Sequence, residues 1–219
     1  VVDRMIAMHG DMSGIQSINS QSRAIASVYR GELLDFYTKI KGGLGVWTDK
    51  VLVRDIVQER FGKDSGNPTA KSISDKMCEV FEGMRERFNR AGGDIGRLLN
   101  WALPQTHSAE KMVVAGRDYW VNFVFPKQDR NNFVHEDGRL YSDDELKDLL
   151  KDSFDSITSN GANKLEIGRQ NFGGNSKVTS KHNESRVLHF KDADSWMEYQ
   201  EKFGGMQFVD LVEAHVNGL

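Results

Sequence analysis

The chain has 219 residues, 29 Lys and Arg against 32 Asp and Glu, 21 glycines, three prolines and one cysteine. Cys78 alone excludes an internal disulfide, and a formal net charge of −3 argues against a wholesale nucleic-acid coat or a polybasic membrane binder. No apolar run is long enough to cross a bilayer, while the length suffices to bury a core without metal or disulfide.

Residues 2–40 carry a helical pattern with a break. Ile6, Ile15 and Ile18 sit among small polar residues and two glycines, whereas Ile25, Val28, Leu33, Phe36, Tyr37 and Ile40 keep one face apolar. The run from Lys41 to Gly45 ends this helix. Thr48 is placed to cap the next, which carries Val51, Leu52, Ile56, Val57 and Phe61. Asn67-Pro68 opens a third helix, with Asn as cap and Pro at the first helical position, where its missing N–H removes no bond. Ile73, Met77, Val80, Phe81, Met84 and Phe88 recur every three or four residues along it, and Ala91-Gly92-Gly93 closes it. Cys78 lies beside Met77 on this helix and is expected to pack rather than to react.

Asp94 to Trp101 reads as a short helix or turn, stopped by Pro104. Ser108 then begins a helix with Met112, Val113, Tyr119, Trp120 and Phe123 on its buried side, ended by Phe125-Pro126. His107 is expected to cap or pack at the turn before it. Ser142 and Glu145 form a capping box before Leu146, Leu149, Leu150, Phe154 and Ile157, and this helix ends near Ser159-Asn160-Gly161. From 161 to 186 glycine, asparagine and serine dominate and the helical period disappears, which reads as a long loop. Val187 to Phe190 is the one run with strand character. Asp192 or Asp194 caps a helix with Trp196, Tyr199 and Phe203, followed by a last pattern through Phe208, Leu211, Val212, Val216 and Leu219. The expected fold is therefore mainly α: an irregular multi-helix bundle with one long basic loop and at most a short β element. A coarse division puts a helical hairpin region at 1–93 and a helical domain with the loop at 94–219. The Val at position 1 and the pattern still running at Leu219 read as a segment of a longer protein.

The near-neutral total conceals two opposed stretches. Lys164 to Lys191 holds six cations against two acids, and Lys127 to Asn160 holds nine acids against five cations. The first is a candidate tracker of a phosphate backbone, with Arg169, Lys177, Lys181 and Arg186 as its contacts and Phe172 as its one stacking residue. In the second, acids in a helix's first turn complement the helix dipole, which explains Asp143 to Glu145 without a metal. An EF-hand fails there, because Gly138 at the sixth position would put Phe133 at the first. No paired Cys/His spacing, dinucleotide loop, phosphate loop or nucleophile elbow occurs, so no catalytic residue, metal or cofactor is assigned. The pair Glu184-Ser185 resembles that of lytic transglycosylases and marks a peptidoglycan hydrolase as one alternative. A nucleic-acid-binding or processing module using the basic loop is another.

Four strings occur in order: Trp101-Ala-Leu-Pro-Gln-Thr-His107, Phe125-Pro-Lys-Gln-Asp-Arg130, Asp137-Gly-Arg-Leu-Tyr-Ser-Asp-Asp-Glu-Leu146 and Ser185-Arg-Val-Leu-His-Phe-Lys-Asp-Ala-Asp-Ser-Trp196. Together they resemble a segment of very large bacteriophage and prophage proteins, virion-associated and including DNA-ejection (internal virion) proteins. The resemblance covers roughly residues 95–219. It implies a non-catalytic assembly module located in the virion, or in the bacterial host interior during infection. Its implied partners are other virion proteins, other segments of the same chain, and DNA during ejection.

Overall fold

The computed structural model describes residues 18–40, 48–96, 102–135, 137–161 and 188–218. These are mainly helical. The α-helices are α1 (Ile18–Lys39), α2 (Lys50–Arg60), α3 (Pro68–Arg90), α4 (Ala109–Ala115), α5 (Arg117–Val124), α6 (Asp143–Thr158), α7 (Ala193–Phe203) and α8 (Phe208–Gly218). Two short 3-10 turns, Phe125–Lys127 and Arg130–Asn132, follow α5. Helix α3 lies against α1 and α2, α8 against α1, and α6 against α4 and α5, while α7 touches both α2 and α4. The buried side chains of all these helices form one contiguous apolar cluster.

Local signals place most helix ends. Asn67 Oδ1 accepts from the Thr69 and Ala70 amides, with Pro68 opening α3. Ser108 Oγ caps α4, Asp192 caps α7 by accepting from the Ser195 amide, and the Ser142–Glu145 capping box is complete. Asn160 and Gly161, at φ 53° and 81°, turn the chain out of α6.

Several expectations need correction. The cap of α2 is Asp49, not Thr48: one carboxylate oxygen accepts from both the Val51 and Leu52 amides, at 2.9 and 3.2 Å. The run after Ser108 is two helices, because Gly116 adopts φ 84°, ψ 149°, a region open essentially to glycine alone. The break shifts the helical phase, so Val113 and Tyr119 face solvent while Met112 and Trp120 are fully buried. Val28 and Val51 are likewise exposed. Cys78 is exposed too, being about 100° round the helix from buried Met77. The strand-like run contributes a single antiparallel bridge, Gln128 to Phe190, rather than a strand. Helical expectations for 2–17, most of the expected turn at 94–101, and Leu219 lie outside the described residues.

Candidate functional site

The residues at the α5–α7 end of the molecule are joined by hydrogen bonds across long stretches of chain. Their centre is Gln128, at the end of the turn that follows α5 and only 3% exposed. Its Oε1 accepts from the His189 amide at 2.9 Å, and its Nε2 donates to the Val124 carbonyl at 3.3 Å. Around it the Asp129 amide donates to the His189 carbonyl, and the Lys191 amide to the Lys127 carbonyl. Burying an amide without partners is costly, so these bonds define one register between 127–129 and 189–191.

A second strap runs from the loop before α4. Gln105 Nε2 donates to the Leu188 carbonyl at 2.7 Å. Thr106 Oγ1 donates to Gln200 Oε1 and accepts from the Gly205 amide. The Ser108 amide and Lys111 Nζ donate to the Phe203 and Gly204 carbonyls. His107 Nδ1 and the Tyr199 hydroxyl share a 2.7 Å hydrogen bond. Tyr199 is fully buried, with Trp120, Phe190 and Phe203 around it at centroid distances of 6.4, 5.1 and 5.8 Å. Burial pulls the His107 imidazole down to about 4 and pushes the Tyr199 phenol up. Both groups are neutral at pH 7. An imidazole this acidic is a weak general base; the pair is suited to locking the loop to α7.

The third strap holds the acidic stretch. Arg130 donates to the Tyr141 carbonyl at 3.0 Å and pairs with Asp143 at 2.8 Å. Val134 and Leu140 form a bridge closed by Gly138 at φ 86°, and His135 stacks on Tyr141 with centroids 4.1 Å apart. Arg139 forks onto both oxygens of Glu145 at 2.9 Å. This guanidinium, with the Ser142 amide, holds the Glu145 carboxyl well below the usual carboxylate range. Asp129 accepts from the Asn131 amide and the Asn132 side chain, Asp148 pairs with Lys151, and Asp155 pairs with Arg117. Among the described residues no group of three or more His, Cys, Asp or Glu side chains is placed to hold a metal ion.

These straps join the described parts of the four strings singled out in the sequence: the first to the fourth through Gln105, the second to the fourth through Gln128, the second to the third through Arg130. The residues that do this joining have no local signature. Gln128 and Gln105 look like surface glutamines, and their partners lie 61 and 83 positions away. Arg169, Lys177, Lys181 and Arg186, with Glu184, lie outside the described residues. Of the six cations in that stretch, Lys191 is described, and its Nζ donates to the Pro126 carbonyl. No helix among the described residues is long and apolar enough to cross a membrane. Compared with protein families, with curated proteins and with solved structures, the chain matches none.

Proposed function

We propose that this chain is a non-catalytic structural and assembly module of a large phage or prophage virion protein, taking part in packing and in DNA escort during ejection. One observation carries the reading: the strings that resemble such proteins meet in a junction where bonds from Gln105, His107, Gln128 and Arg130 tie helices and loops together. In a scaffold, short strings matter through such bonds, because loss of any one leaves a buried partner unsatisfied. The test is to express a tagged chain in a lysogenic host, induce the prophage, purify particles and quantify the chain's peptides by mass spectrometry. Incorporation at a fixed ratio to the other virion proteins is expected. Exclusion from particles, or turnover of peptidoglycan or nucleic acid by the purified chain, overturns the reading.

A second reading rests on the net positive stretch from Lys164 to Lys191. If Arg169, Lys177, Lys181 and Arg186 contact phosphates, DNA affinity falls steeply with salt, and reversing Lys177 and Lys181 lowers the slope by about two. Unchanged binding in that double variant removes this reading.

A further inference from the structure

Helices α1 and α8 leave a trough between them on the molecule's outer side. Leu33, Leu34 and Tyr37 line it from α1, and Val209, Val212 and Val216 from α8, enclosing about 260 Å³. Leu34 is 40% exposed at its edge. Arg30 and Glu213 stand at its rim, one on each helix. Arg30 Nη2 donates to Asn217 Oδ1 at 2.8 Å, while its Nε is buried with no acceptor among the described residues. Glu213 has no ion pair with a described residue. Gly31, three positions before Leu34, is an exposed glycine inside a helix, and a Cβ built there meets nothing within 4 Å. Glycine is unfavourable in a helix interior, and no contact with a described residue requires one here.

We propose that this face is a self-association surface and that its occupant is a second copy of the chain. The face carries both a trough and the ridge to fill one: a two-fold axis across it sets Leu34 of each copy against the other's trough. The same axis brings Arg30 of each copy opposite Glu213 of the other, pairing opposite charges across the interface, and Gly31 lets the two α1 helices approach closely. One patch bearing both charges is complementary to itself, which is what a closed two-fold interface requires. The inference is independent of the virion reading.

Sedimentation equilibrium on the whole chain tests it, over protein concentrations from about 1 to about 100 µM, the weaker end of specific association. A monomer–dimer equilibrium is expected. Arg30→Glu and Glu213→Arg each weaken it about tenfold or more, and the double variant returns to within about threefold of the original. Gly31→Ala keeps or raises the melting temperature yet weakens the dimer, an opposition that a free surface would not produce. Leu34→Lys, at a half-exposed site, abolishes the dimer with the helical circular dichroism unchanged, and stands in if a charge variant unfolds. A chain that stays monomeric throughout, forms open-ended oligomers, or dimerises equally well in all four single variants overturns the proposal.

Discussion

The two ends of the molecule are built differently. At the α5–α7 end, Trp120, Tyr199 and Phe203 are fully buried, and straps from His107, Gln105 and Gln128 cross the aromatic core. At the α1–α8 end, Leu33 and Tyr37 are, among the described side chains of the 22-residue α1, the buried apolar ones in the core, and a trough remains beside them. The polar contacts described between helices on that side lie toward its surface: the Tyr29 hydroxyl reaches the Gly83 carbonyl, Arg30 reaches Asn217, and Lys76 lies 3.8 Å from Glu32. A close-packed core bridged by polar bonds admits one arrangement. A helix with one buried stripe is held less firmly and keeps surface to offer.

The largest break in this contrast comes from cavities. Trp120 packs on Phe154 and Tyr199 with centroids 5.8 and 6.4 Å away, and Trp120→Ala is expected to cost about 3–5 kcal/mol. Urea unfolding of both variants checks this against Leu34→Ala, expected to cost less than about 1 kcal/mol in the monomer. Equal losses would erase the distinction between the two ends.

Next is the pH dependence of the His107 strap. Its imidazole is held at about 4, against 6.5 when free. Between those values the unfolded chain binds a proton that the folded chain does not, so stability rises with pH. The contribution is complete above about pH 6.5, falls as pH drops, and levels off below about pH 4, for a total of about 3 kcal/mol. The difference in unfolding free energy between the native chain and His107→Gln should shrink over that window. A difference that stays constant would mean that the imidazole is not buried against Tyr199. Gln128→Leu follows. It keeps the apolar volume and strands the His189 amide and the Val124 carbonyl, at a cost of about 1–3 kcal/mol in the same melts.

What was legible in the sequence follows the range over which each interaction acts. Asn67-Pro68, Ser108, the Ser142–Glu145 box and Asp192 act within a turn, and their patterns locate four helix starts. Thr48 was displaced by its neighbour because a carboxylate one residue closer reaches two amides. Gly116 sits inside a good apolar run, where a single glycine is usually tolerated, so nothing local announced the break. The junction was the least legible part. The bonds of Gln105, His107 and Gln128 span 83, 92 and 61 positions, and helical periodicity carries no information at that distance. The strings lie far apart in the chain, and only the fold shows that they meet.

The smallest expected effect concerns α3, the helix between the two ends. Its stripe from Ala70 through Ile73, Met77 and Val80 to Met84 is buried, and Cys78 stands outside that stripe in solvent. Position alone separates Met77 from Cys78: one residue advances the helix by about 100°, enough to move a side chain from core to water. Cys78→Ser should therefore change stability by less than about 0.5 kcal/mol, whereas Met77→Ala removes a fully buried side chain and costs about 2–5 kcal/mol. A thiol reagent should modify Cys78 in the folded chain at a rate near that of the urea-unfolded chain. Reaction only after unfolding would place Cys78 in the core and rotate α3 by most of a third of a turn. That rotation would turn the Met77–Met84 stripe away from α1 and α2, and with it the support on which the α1–α8 trough rests.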